Sequence, residues 1–419
     1  MKRTVLKIAI FFLVLTLLFG CQKDVENYPN YLGDFSIRRK KNIEVPADSG
    51  AELVSEREIL RGEIEIENEV QLNDINDIDE IHTINDAISP EILGTNGENQ
   101  VNINNAPIPI KNSHNYVKFI TGKIDKDNLI TYLYEISSGI GSRRVGTYGN
   151  QRVVSYVFNK LKSFGFSAEN GELQIQGLNS FGRYSENVIA KIPTESPEPN
   201  YIVFSAHLDS VRDTYGAVDN ASGISTLLEI SRILKDSGID FGFEIHFCFF
   251  NAEEDGYYGA KEYMRRNSEE QMIRILCIYN LDMTAYDNSG RKKVLVVSTE
   301  GDPDIDAKDN SKTNIVSYAI SKAFYKYNYV SGYEYFSPSN SGKHDIIPFV
   351  KVGIPGATLS WREIDFERAI GNDLGISSPE WTHTFDDCYE NTNQDSLYET
   401  TRLVAAGVGE LIAFIQQKY

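Results

Sequence analysis

Between residues 202 and 223 the chain reads IVFSAHLDSVRDTYGAVDNASG. An apolar run stops on His207-Leu208-Asp209, and Asp219 follows before the next apolar stretch. Two more apolar runs end on acid, one at Asn251-Ala252-Glu253-Glu254 and one at Asn280-Leu281-Asp282. Carboxylates at the ends of apolar strands are costly to desolvate unless they are paired or bind a cation. His207, Asp219, Glu254, Asp282 and one further histidine make a mixed nitrogen and oxygen donor set suited to zinc. Two ions about 3.5–4 Å apart need a bridging carboxylate and a pair of ligands on either side, which two imidazoles and three carboxylates supply. Adjacent Glu253 and Glu254 point apart in strand geometry. In a turn after the strand, one binds metal and the other stays free as a general base. Asp209, two residues after His207, is placed to accept the other ring N–H and fix the tautomer.

Four histidines compete for the fifth position. His114 precedes the ordered region, and His246 sits mid-strand between Ile245 and Phe247, where a satisfied core residue is expected. His344 lies in Gly342-Lys343-His344-Asp345 and His383 in Glu380-Trp381-Thr382-His383-Thr384-Phe385-Asp386-Asp387. Spacing alone does not decide between these two. The Asp386-Asp387 pair reads as a solvated turn.

The elements that must position these groups follow from periodicity. Helical spacing appears in Asp127 to Ser137, from Val153 to Leu161, from Ser222 to Lys235, from Tyr257 to Asn267, from Ile315 to Tyr327 and from Ser396 to Gln417. Strands are predicted at Leu173 to Gln176, Asn187 to Ile192, Tyr201 to Ser205, Glu244 to Phe250, Ile273 to Leu281, Val294 to Ser298 and Ile354 to Ser360. This alternation implies an α/β fold, a mostly parallel mixed sheet flanked by helices on both faces, in a single catalytic domain over 114–419. In such sheets ligands bind outside the carboxyl ends of the strands, where the three acidic clusters fall.

The net charge of −19 argues against a nucleic-acid partner. Much of it lies in residues 44–100, where sixteen Asp or Glu face only Arg57 and Arg61. Residues 22–113 therefore read as an acidic, largely disordered linker. Four widely spaced cysteines do not form a disulfide scaffold or a cysteine zinc site. Lys2, Arg3 and Lys7 precede an apolar stretch from Ile8 to Phe19, the pattern of a signal peptide over 1–21. Leu18-Phe19-Gly20-Cys21 resembles a bacterial lipobox, which implies lipidation of Cys21, export, and a lipid anchor on the extracytoplasmic side of a membrane.

His207-Leu208-Asp209-Ser210, GAVDNASG at 216–223, NAEEDGYYGA at 251–260, NLDM at 280–283 and THTFDD at 382–387 together resemble the M28 family of zinc peptidases. SRRVGTYGNQ at 142–151 is similar to that family's opening. The resemblance covers roughly 115–419 and implies a site with two zinc ions acting on peptide substrates, most simply as an aminopeptidase. It implies that His207 and Asp282 hold one zinc, Glu254 and His383 the other, that Asp219 bridges, and that Glu253 is the base. It also implies a cis peptide at Asp219-Asn220. A single-zinc glutaminyl cyclase and a non-catalytic binding relative are the alternatives on the same fold. One departure stands out: the family's Ser-Asp-His is replaced here by His344-Asp345-Ile346, and no tyrosine in that stretch offers itself as an oxyanion donor.

Overall fold

The computed structural model describes residues 113–290, 293–299, 314–330, 334–336, 344–364 and 376–418. The signal segment with Cys21 and the acidic stretch up to residue 112 lie outside the described residues.

Among the described residues, nine strands form one sheet: β1 Leu173–Ser180, β2 Arg183–Ile192, β3 Tyr201–His207, β4 Glu244–Phe250, β5 Ile275–Leu281, β6 Lys293–Ser298, β7 Glu334–Phe336, β8 Gly356–Ile364 and β9 Ile376–Ser377. Their order is β1-β2-β4-β3-β5-β8-β6-β7, with β9 paired to β8. The centre is parallel, β4 to β3, β3 to β5 and β5 to β8. Antiparallel pairs β1 to β2, β2 to β4 and β6 to β8 extend it outward. The mixed α/β architecture expected from the alternation is present.

Every residue of β3 and β5 is buried, which the continuous apolar runs require of strands covered on both faces. Alternation along β3 divides the core. Ile202, Phe204 and Ala206 enter the larger cluster, with side chains from helices α1 Ser113–Gly122, α2 Lys126–Tyr134, α3 Tyr148–Ser163, α4 Gly223–Asp236, α7 Ile315–Tyr327 and α9 Gln394–Lys418. Tyr201 and Val203 face the other way, toward α5 Tyr258–Arg266, α6 Glu269–Arg274 and α8 Ile347–Val350. The two sides of the sheet are thus sealed independently.

Three elements differ from expectation. The helical run at Asp127 to Ser137 splits into α2 and a wider turn at Glu135–Ile140. Ile273 and Arg274 close the short helix α6 rather than open β5; Ser268 and Gln271 form a capping box that starts it. The described residues open on α1, a helix not predicted, which buries Tyr116, Val117 and Ile120. Gly409 of α9 permits this docking, since a Cβ there would lie 2.8 Å from the Val117 backbone nitrogen.

Candidate metal centre

The parallel centre of the sheet presents three strand ends side by side. His207 closes β3 opposite Phe250, the last residue of β4, and Leu208 N–H donates to the Phe250 carbonyl at 2.7 Å. Asp282 follows β5 directly, its N–H donating to the Leu359 carbonyl of β8 at 3.2 Å. Asp219 reaches the same place from the loop before α4. Gly216 makes that loop possible: its φ is +55°, and a Cβ would meet the Asp219 carbonyl at 2.5 Å. The Asp219-Asn220 peptide is cis. Asn220 ties the loop to β5, donating to the Leu281 carbonyl at 2.9 Å and accepting from Met283 N–H at 3.1 Å.

Two donor groups result. Nε2 of His207 lies 3.2 Å from Asp219 Oδ1 and 3.4 Å from Asp282 Oδ1. Nε2 of His383 lies 3.2 Å from Asp219 Oδ2 and 3.5 Å from Glu254 Oε1. Within each group the ligating atoms all fall within 4.8 Å of one another. Asp219 belongs to both, one oxygen to each.

The chemistry of these donors fits cations. Asp282 Oδ1 and Glu254 Oε1 are buried, and neither has a hydrogen-bond partner. Both face an imidazole nitrogen and a second carboxylate, a mixed donor set that a bound cation would satisfy. Burial, reinforced by the Asp219 charge, pushes the Glu254 carboxyl up to about 7. Burial also pushes Glu253 well above the usual carboxylate range, with Asp345, Glu254 and Asp282 adding to it against the pull of His207. Asp219 goes the other way despite its burial, held at about 2 by His207 and His383. Contacts with Asp219 and Glu254 raise His383 to about 10. Carboxyl groups with divergent environments crowded into one pocket mark a functional site.

Asp209 sits behind the centre, though with a different oxygen toward the ring than expected. Nδ1 of His207 is 3.2 Å from the Asp209 backbone carbonyl and 3.6 Å from its carboxylate. The carboxylate instead accepts the N–H groups of Glu253 at 3.0 Å and Glu254 at 3.2 Å. It therefore sets the turn that separates the two glutamates.

His344 is the other surprise. It is buried, with Nδ1 2.8 Å from Asp282 Oδ2, close but not aligned as a hydrogen bond. It belongs to neither donor group and packs against the outer oxygen of Asp282. His246 is satisfied in the core by the Tyr263 hydroxyl at 2.7 Å and Glu244 at 2.9 Å, and His114 is exposed on α1.

Two supporting residues escaped the sequence reading. Asp387 is 1% exposed rather than solvated, and accepts the N–H groups of Val218 at 2.7 Å and Asp219 at 3.1 Å. Arg143 is fully buried. It donates to the carbonyls of Leu208 at 3.0 Å, Tyr215 at 2.6 Å and Gly216 at 2.9 Å, lacing the His207 segment to the Asp219 segment. Left-handed backbone also gathers here, at Ala252, Met283 and His383, each at or next to a site residue.

Known proteins resemble this chain in sequence and in fold. Aminopeptidase YwaD of Bacillus subtilis is 30% identical over 256 residues, covering 59% of this chain and 51% of that protein. The probable lipoprotein aminopeptidase LpqL of Mycobacterium tuberculosis is 30% identical over 220 residues, covering 51% of this chain and 43% of that one. The chain spans about half the length of the curated relatives it matches. Among solved structures, BSAP, a zinc aminopeptidase from Bacillus subtilis, superposes with a TM-score of 0.56 at 18% identity, over 68% of this chain and 94% of that one. Glutaminyl cyclase of Macrostomum lignano superposes with a TM-score of 0.54 at 17% identity, over 73% and 94%. At such identities the likeness is one of fold. A profile of peptidase family M28 matches residues 187–408, more than half of the chain, and that span contains His207, Asp219, Glu254, Asp282 and His383. The chain belongs to peptidase family M28.

Proposed function

We propose that the chain is a zinc-dependent exopeptidase, most simply an aminopeptidase that releases single residues from peptide N-termini, and that its centre takes two ions. One observation carries this reading. Asp219 turns one oxygen to His207 and Asp282 and the other to His383 and Glu254. A carboxylate shared by two complete donor groups is what a two-ion site needs. BSAP is a zinc aminopeptidase and YwaD an aminopeptidase, which supports the choice of metal and reaction.

His207 and Asp282 would hold one ion and Glu254 and His383 the other, with Asp219 shared between the two groups. When bound, zinc supplies Lewis acidity, polarising the scissile carbonyl and making a water acidic enough to lose its proton near neutral pH. Glu253 takes that proton on a carboxylate oxygen and returns it to the leaving amine. Asp209, through the N–H groups of both glutamates, keeps Glu253 off the ions while Glu254 turns toward them. The His383 side chain, 51% exposed, marks the open edge. Phe385, two residues after His383, and Tyr215 are exposed with ring centroids 6.3 Å apart, apolar surface that could take a peptide side chain.

The deciding experiment pairs metal analysis by mass spectrometry with hydrolysis of aminoacyl p-nitroanilides. Two zinc ions per chain with release of p-nitroaniline are expected. One zinc with pyroglutamate formation from N-terminal glutamine would instead make the chain a cyclase. A lipid at Cys21 would hold the enzyme at an extracytoplasmic membrane face, a placement that the name of LpqL supports. Radiolabelled palmitate should enter the full chain and not its Cys21→Ser variant.

A further inference from the structure

Arg362 lies on β8, the strand next to β5, and is 8% exposed. Its neighbour Trp361 enters the larger core, so Arg362 faces the opposite side of the sheet. There it meets two residues of the metal corner. Its NH1 donates to the sulfur of Met283, the residue after Asp282, at 2.8 Å. Its NH2 is 3.5 Å from Nε2 of His344, whose other nitrogen lies against Asp282. The remaining contact is a long one, 3.4 Å to the Trp361 carbonyl.

This is an unusual set of acceptors for a buried guanidinium. Among the described residues, Arg362 has no carboxylate within 4.0 Å. The other cations buried behind the site are compensated: Lys293 contacts Asp287 and Glu363, each at 2.5 Å, and Arg143 is surrounded by carbonyls. A thioether and a distant imidazole leave most of the five guanidinium donors weakly used. A buried charge without an anion is costly, and the planar fork fits a carboxylate in two parallel hydrogen bonds.

We infer that Arg362 is a specificity residue that receives a carboxylate of the substrate, beside the Asp282 side of the centre. This rests on the hydrolase reading above and narrows it to peptides carrying an anionic group near the scissile bond. That group is either an acidic N-terminal side chain or the free terminal carboxylate of a dipeptide. His344 lines the same corner, its Nε2 3.5 Å from NH2 of Arg362.

The test uses the zinc-loaded full chain and two isosteric pairs. Glutamyl against glutaminyl p-nitroanilide isolates the side chain, and Ala-Ala against Ala-Ala amide isolates the terminus. One pair should favour its carboxylate member by about tenfold or more in kcat/KM, as expected for a charge-assisted bidentate contact. In Arg362→Gln that ratio should fall to within about threefold of unity, with Arg362→Lys between the two. A guanidinium that only props His344 would lower both members of each pair and leave the ratios unchanged. Ratios near one in both pairs for the wild type, or a ratio that survives in Arg362→Gln, would overturn the inference; the wild-type arm needs no variant to fold. If neither pair is cleaved, the hydrolase reading fails on its own. Calorimetry of the same dipeptides and amides on the Glu253→Gln protein then judges Arg362 by the binding ratio alone.

Discussion

The two halves of the metal centre share Asp219 yet are built from different material. His207 ends a fully buried strand, and its side chain is 2% exposed. Asp282 follows another such strand, with His344 behind its outer oxygen and its N–H held by β8. His383 stands instead on a loop with left-handed backbone, its side chain 51% exposed. Glu254 is held through its N–H by Asp209. One half is thus fixed by the sheet and largely buried. The other is carried by loops and opens to solvent. A buried half suits a permanent ion, and an exposed half suits one that exchanges more readily.

The largest effect tests what the halves have in common. Replacing Glu253 with Gln should lower kcat by about 10²–10⁴-fold. Both ions should remain, because Glu253 belongs to neither donor group. Zinc lost on this substitution, measured by mass spectrometry, would make Glu253 a ligand and redraw the boundary between the halves.

A direct contrast comes next. His207→Ala and His383→Ala each remove one imidazole, but from unlike settings. The His207 variant should bind at least about 100-fold more weakly on its side and lose thermal stability even without metal, since it opens a void at a strand end. The His383 variant should retain one tightly held ion and the unfolding temperature of the metal-free protein. Titration against a zinc-buffered indicator reads both. Equal losses in the two variants would erase the distinction.

Residues behind the ligands grade the contrast further. Asp387→Ala removes the acceptor for Val218 and Asp219 N–H. Because Asp219 serves both halves, it should weaken both ions by about 10–100-fold. His344→Ala should retain metal and loosen only the Asp282 side. Loss of both ions from the His344 variant would make that histidine a ligand.

The same contrast explains what could be read from the sequence. His207, Glu253, Glu254 and Asp282 were legible because each interrupts an apolar run, and burial makes such an interruption informative. His383 has no periodic pattern around it, so residue spacing left it level with His344, and only the family resemblance separated them. Asp387 was misread for the same reason: an acidic pair on a loop gives no sign that one member turns inward onto two backbone N–H groups. Arg143, in a Gly- and Arg-containing loop, carried no sign of burial; only the folded chain brings the carbonyls of Leu208, Tyr215 and Gly216 to its guanidinium. The helix α6 was different, for its Ser268 to Gln271 capping signal was present in the sequence and outweighed by the apolar stretch after it.

The smallest effect separates the sheet's own acid sensitivity from that of the centre. His246 lies on β4, away from both donor groups, packed on Tyr201 and Tyr263. Burial depresses it to about 4, against the pull of Glu244. An unfolded chain protonates this histidine near pH 6.5, so between that value and about 4 the unfolded state binds more protons. Stability from His246 is therefore complete above pH 6.5 and declines as the pH falls through this window. Lowering the pH from 7 to 5 should cost about 1–2 kcal/mol through this residue alone. Urea unfolding of the wild type and of His246→Gln at both pH values isolates it as a difference of differences. A wild-type decline no steeper than the variant's would assign the acid sensitivity to the carboxylates and histidines of the centre, where the exposed half would be the first to respond.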